Sequence, residues 1–166
     1  VSVRNEMAAV ESFLRQIMPA PGDLPVYYYT PDSLYLLGAL TSAGHTVRVM
    51  ATEADLPGMA AMPEYQGAVS DLLVLAPAGL KPGRTAPGFV LFDRPLQKLS
   101  PEYLQVLLSQ SMSLLPTGGR VVLVQTPSQS KAQQKQITTL SEQVAFSRAI
   151  IDSTHSKRFH FLIFEK

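Results

Sequence analysis

Short apolar runs alternate along the chain with stretches in which apolar residues return every three or four positions. A period near two marks a strand and one near 3.6 a helix, so the alternation predicts an α/β fold with a mainly parallel sheet. Residues 5–18 place Met7, Val10, Phe13, Leu14 and Ile17 on one helical face, and Pro19 and Pro21 stop the run. "LPVYYYT" (24–30) is rich in strand formers. "PDSLYLLGALTSAG" follows as a helix from Pro31, capped by Asp32 or Ser33 and closed at Gly44. "HTVRVMA" (45–51) reads as the second strand, and "SDLLVLA" (70–76) and "PGFVLFD" (87–93) as the next two. Residues 52–69 carry one helical turn at most, and "PAGLKPGRTA", with two prolines and two glycines, reads as a loop.

In the last third, "SPEYLQVLLSQSMSLL" (100–115) has a Ser-Pro-Glu helix start and repeats Leu104, Leu107, Leu108, Leu114 and Leu115. "GRVVLVQ" (119–125) is a buried strand by length and β-branching. Residues 130–154 read as one long amphipathic helix through Ile137, Leu140, Val144 and Ile151, and "RFHFLIF" (158–164) as the final strand. The expected fold is therefore a Rossmann-like three-layer sandwich of about six strands and four helices, forming a single domain over residues 1–166.

Composition narrows the function classes. With 166 residues, 46% of them hydrophobic, the chain can bury a substantial core, while 16% charged residues leave little charge to cover its surface. Part of that surface is expected to pack against another protein. A net charge of +1 without a basic stripe argues against nucleic acid as partner; Lys131, Lys135, Lys157 and Arg158 read as solvated residues. The lack of cysteine excludes disulfides, thiolate catalysis and cysteine-held metals. His45, His155 and His160 are too scattered to suggest a metal site. No run approaches a membrane span, and Arg4, Glu6, Glu11 and Arg15 interrupt any leader-like apolar segment, so a cytoplasmic location is expected. The chain begins with Val, as a domain cut from a longer polypeptide or a processed chain would.

A dinucleotide site needs glycines just after the first strand, because only a backbone without Cβ atoms lets a pyrophosphate approach closely. Here that strand runs into "TPDSLYLL": Pro31 has no N–H, and the next glycine, Gly38, lies well inside the helix. A methyl-donor site would want a glycine-rich turn at the same place. The second strand ends in "VRVMATEAD", where Glu53 or Asp55 could hold ribose hydroxyls.

"PGFVLFDRPLQKLSPEYLQVLLSQSMSLLPTGGRVVLVQTP", with "QITTLSEQVAFSRAIIDST" and "RFHFLIF", resembles the later half of the short-chain dehydrogenase/reductase fold. The likeness covers residues 87–164 and, loosely, 24–51. It implies a catalytic Ser after the 119–125 strand and a Tyr-x-x-x-Lys pair in the following helix. Aligned on "VAFSRAI", the Tyr position falls at Gln136, the Lys position at Leu140 and the Ser near Gln125 or Thr126. Gln is no useful acid and Leu offers no charge, so hydride transfer has no apparatus here. Thr126 and Gln129 could line a vestigial pocket.

The resemblance thus implies a module without catalytic, cofactor-binding or metal-binding residues and without a cofactor. Its relatives would be the non-catalytic N-terminal domain of long-form 3-oxoacyl-(acyl-carrier-protein) reductases and the structural subdomain of polyketide and fatty acid synthase ketoreductases. Its expected partner is a ketoreductase-type domain, an acyl-chain synthase or its own copy. A second reading is a methyltransferase-like domain, active or degenerate, since "LLPTGGRVVLV" and the helix before it suit that class equally. A third, from "AGHTVRVMATEADLP", is half of a nucleotide-sugar glycosyltransferase. The feature expected to separate the first two is the sheet's end: methyltransferases usually finish with an antiparallel strand pair, whereas one strand alone is expected after the long helix here.

Overall fold

The structure, a computed structural model, describes residues 3–31, 35–61, 72–81, 85–125, 135, 139, 142, 144, 148–152 and 159–166. Helix α1 (Val3–Ile17) precedes strand β1 (Val26–Tyr29), helix α2 (Tyr35–Ser42) and strand β2 (Val47–Thr52). A short helix α3 (Leu56–Ala60) leads towards β3 (Leu73–Ala76) and β4 (Gly79–Leu80). Strand β5 (Phe89–Asp93), helix α4 (Pro101–Leu114) and strand β6 (Arg120–Gln125) form the next unit. The chain closes with β7 (Arg148–Asp152) and β8 (His160–Glu165).

These strands make one sheet in the order β4-β3-β2-β1-β5-β6-β8-β7. The five strands from β3 to β6 are parallel, while β8 runs antiparallel to β6 and β7 antiparallel to β8. Buried parallel strands must be apolar on both faces, and β5 and β1 are buried at every position. Alternate side chains divide the core. Tyr27, Tyr29, Val90, Phe92, Val121 and Leu123 meet Leu104, Leu107 and Leu108 of α4 on one face. Val26, Tyr28, Leu91, Val122 and Val124 meet Val10, Phe13 and Leu14 of α1 and Leu36 and Leu40 of α2 on the other. The result is the expected three-layer Rossmann-like sandwich.

Local chemistry sets the ends of α4. The Ser100 hydroxyl accepts from the Tyr103 N–H at 3.2 Å, with Pro101 next in line and Glu102 in the first turn. After Leu115 the chain reverses through Gly118, whose φ of 83° suits a residue without a side chain, before β6 begins.

Two expectations are corrected. The segment read as a loop contains β4, a two-residue strand that pairs antiparallel with β3 and lies along α4, where the Gln110 side-chain oxygen accepts from the Leu80 N–H at 2.7 Å. Prolines and glycines marked the turn but hid the strand. The helix expected over 130–154 does not continue through its end. Residues 148–152 are β7, paired from Arg148 opposite Glu165 to Asp152 opposite Phe161. "RAIID" is a short apolar run, and periodicity alone cannot separate a buried strand from a helix end. Upstream, Lys135, Thr139 and Glu142 are helical and Val144 is buried. The chain therefore finishes with the antiparallel pair whose absence was expected.

Candidate functional site

In an open α/β sheet, ligands bind outside the carboxyl ends of the strands, where the strand order reverses and neighbouring connections leave to opposite faces. Here that point lies between β1 and β5: α2, which follows β1, packs on one face and α4, which follows β5, on the other. The sequence brings three polar groups to it. Thr30 follows β1, Asp93 ends β5, and Arg94 comes next. Asp93 is fully buried. It accepts from the Thr30 hydroxyl at 3.1 Å and from Nε and Nη2 of Arg94, both at 3.1 Å. Arg94 adopts a left-handed conformation with φ 45° and gives its backbone N–H to the Val124 carbonyl at 2.8 Å, tying β5 to β6. Such a conformation in a residue with a side chain stores strain, and the ion pair and the Val124 bond hold it in place. Gln125, at the end of β6, is buried beside this corner opposite His160.

A different arrangement stands at the end of β2. Asp55 turns back on its own strand: its carboxylate accepts from the Thr52 hydroxyl at 2.7 Å and from the Thr52 N–H at 3.3 Å. Lys98 reaches its other oxygen at 3.5 Å. This turn leaves Glu53 on the outside, exposed, and among the described residues none binds its carboxylate. Glu53 lines an open cavity of about 300 Å³ with Thr52, Ala54, Leu75, Ala76, Pro77 and Tyr103. The Tyr103 hydroxyl donates to the Ala76 carbonyl, which fixes the ring as a wall of the cavity, and burial raises the phenol's pKa above its usual 10.0.

Of the two carboxylates expected to suit a ribose, the structure therefore engages Asp55 within the protein and leaves Glu53 available. Asp32 and Ser33, Thr126 and Gln129, Gln136 and Leu140, and His155 lie outside the described residues. Among the described residues no three His, Asp or Glu side chains gather as metal ligands, and no helix is long and apolar enough to cross a membrane. The Asp93–Arg94 pair went unmarked at the sequence level. Its only local signal is two charges closing an otherwise wholly apolar strand.

Two further clefts open at the opposite, amino ends of the strands. One of about 650 Å³ runs past Ile17, Leu24, Gly88, Phe89 and Gly118, and one of about 310 Å³ lies between α1 and α2. His45 borders both, and burial lowers its pKa below the usual 6.5. Volume favours this end and topology the other. Topology is the stronger guide, because the turns that carry polar groups into a shared crevice all leave the carboxyl ends.

No protein-family model matches the chain, and no curated protein does. Solved structures match across its whole length. The chain is similar to PigF with SAH, with a TM-score of 0.66 and 15% identity over 99% of this chain and 57% of that one. It is similar to a putative rRNA methylase from Clostridium thermocellum, with a TM-score of 0.63 and 15% identity over 100% of this chain and 98% of that one. A putative O-methyltransferase from Nostoc punctiforme gives 0.60 and 16%, over 97% and 57%. The chain thus spans little more than half of PigF and the O-methyltransferase but nearly all of the rRNA methylase.

These neighbours and the β7–β8 pair overturn the short-chain dehydrogenase/reductase resemblance. The fold is the one these methyltransferases share. The reading as a non-catalytic, ketoreductase-like pseudoenzyme serving fatty acid or polyketide biosynthesis falls with it. The two fold families share the parallel βαβ units that "LLPTGGRVVLV" marks, and they part at the last strands, where the expected helix concealed the hairpin.

Proposed function

We propose that this chain is a methyltransferase-type domain that binds an adenosyl ligand at the carboxyl ends of β1, β2 and β3. The observation that carries the reading is Glu53: an exposed carboxylate, unengaged among the described residues, on the rim of a cavity at the end of the second strand. A carboxylate so placed can accept hydrogen bonds from both hydroxyls of a ribose. Leu75, Ala76, Pro77 and the Tyr103 ring offer the apolar wall that a base needs. A volume of about 300 Å³ lies at the small end of ligand sites and suits a nucleoside.

The methyl donor implied by the fold is S-adenosylmethionine, and the residues fit only part of it. The nucleoside half has its carboxylate and its apolar wall. The methionyl half would meet the turn after β1, where Pro31 has no N–H to offer and the Thr30 hydroxyl already donates to Asp93.

The test is calorimetric titration with S-adenosylhomocysteine and, separately, with NADPH. The proposal expects the adenosyl ligand to bind and NADPH not to. No heat from S-adenosylhomocysteine at millimolar concentration, or tighter binding of NADPH, overturns it.

A further inference from the structure

We infer that the cleft at the amino ends of β1, β5 and β6 is a second binding site, one that takes a compact, uncharged and largely apolar molecule carrying a hydroxyl group. It is independent of the adenosyl reading, whose ligand lies at the opposite ends of the strands.

The cleft, of about 650 Å³, falls within the range of small-molecule sites, and the chain's own turns build it. Pro19, Pro21 and Gly22 follow α1 and carry the chain to β1, and the Gly88 N–H donates to the Pro25 carbonyl at 2.9 Å. A Cβ at Gly88 would stand 2.9 Å from that of Leu24, so the lack of a side chain lets these two segments lie together. On the other side the Gly118 N–H donates to the Lys166 carbonyl and the Lys166 N–H to that of Gly119, both at 2.9 Å. Nη1 of Arg120 donates to the Ile17 carbonyl at 2.9 Å and ties β6 to the end of α1. The walls are thus in place before any ligand arrives, and binding need not order them.

Their chemistry selects the occupant. Ile17, Met18, Val26 and Phe89 give an apolar lining, and Leu24 continues it to the rim, where its side chain is 46% exposed. A lone exposed leucine is ordinary, but one that extends a concave apolar wall is surface a ligand can cover. The charges of both arginines are already matched within the protein. Arg120 gives Nε to Glu165 at 3.0 Å, and Arg15, on the neighbouring cavity of about 310 Å³, pairs with Glu11. Asp23 adds an exposed carboxylate to the wall, so an anion would enter without a counter-ion. A cation would gain only that solvated carboxylate, and such pairs contribute little. His45 lies on the wall that the two cavities share, and among the described residues no group hydrogen-bonds its imidazole. Burial lowers its pKa, so near neutral pH the ring offers one donor and one acceptor. A hydroxyl answers both.

The experiment titrates the chain near neutral pH with three probes of one shape, 2-naphthol, naphthalene and 2-naphthoate, and follows amide chemical shifts. The inference expects 2-naphthol to bind at about 1 mM or tighter, with shifts gathered at Met18, Leu24, His45, Gly88 and Gly118. Naphthalene should bind about fivefold more weakly and 2-naphthoate at least about tenfold more weakly. His45→Phe keeps a ring in place and should weaken 2-naphthol about fivefold while leaving naphthalene within about twofold, as the loss of one neutral hydrogen bond implies. No shifts from 2-naphthol at millimolar concentration, shifts gathered instead around Glu53 and Tyr103, or 2-naphthoate binding as tightly as 2-naphthol would overturn the inference. Equal weakening of 2-naphthol and naphthalene by His45→Phe, or none, would overturn it too. If that variant does not fold, the wild-type chain still decides: 2-naphthol binding no more tightly than naphthalene overturns the choice of a hydroxyl.

Discussion

Replacing Asp93 with Asn keeps the size of the side chain and removes its charge, which makes it a sharp probe of the β1–β5 corner. The wild-type carboxylate accepts one bond from Thr30 and two from Arg94. An Asn oxygen in the place of Oδ2 keeps the bonds from Thr30 and from Nη2 of Arg94, while its NH₂ group points a donor at the Nε–H of Arg94. Losing that one bond to a charged partner costs about 1.5–3 kcal/mol. Two offsets apply: a neutral amide is cheaper to bury than a carboxylate, and the Arg94 side chain, 16% exposed, keeps some contact with water. A net loss of about 1–2 kcal/mol remains. With a urea slope of about 2 kcal/mol per molar, the unfolding midpoint should fall by about 0.5–1 M. Arg94→Gln should cost less. The double variant should cost less than the sum of the singles, with a coupling of at least about 1 kcal/mol, because each residue's loss is felt through the other. A midpoint shift for Asp93→Asn no larger than that of the exposed Glu53→Gln, or strictly additive singles, would refute the view that this pair holds the corner.

Other consequences follow from single side chains. Burial lowers the pKa of His45, so the unfolded chain takes up its proton first as pH falls through about 6.5. Its contribution to stability is complete above that value and declines below it, and His45→Asn should flatten the fall in urea midpoint between about pH 8 and about pH 5. The raised Tyr103 pKa acts at the other end: stability should decline above about pH 10, where the unfolded phenol ionises first, and the phenolate absorbance of the folded chain should appear later than that of free tyrosine. Tyr103→Phe removes the bond to the Ala76 carbonyl and should cost about 1 kcal/mol in urea unfolding while weakening adenosine little. Pro31→Gly restores an N–H to the turn after β1, and titration should find S-adenosylhomocysteine strengthened about fivefold relative to adenosine.

Much of the fold was legible because buried parallel strands announce themselves. "VYYY", "FVLFD" and "RVVLVQ" became β1, β5 and β6 within a residue or two of their expected limits, and 5–18 became α1. The hairpin was not legible. Ile150 and Ile151 continue the apolar spacing of the helix before them, and only their pairing with Ile163 and Leu162 of β8 makes them a strand. The site was legible in part for a similar reason. Glu53 and Asp55 follow the second strand and can be found by counting, but which one turns inward depends on Thr52 and on Lys98, 43 residues further on. The Thr30–Asp93 bond spans 63 residues, and no local pattern announces it.

On the adenosyl reading the ligand sits at the carboxyl ends of the strands and not in the clefts at their amino ends. Amide chemical-shift mapping with adenosine tests this most directly. Shifts should gather at Thr52, Glu53, Ala54, Leu75, Ala76 and Tyr103, the residues around the cavity at the end of β2. Shifts gathered instead at Met18, His45, Gly118 and Gly119, which border the larger cleft, would contradict it.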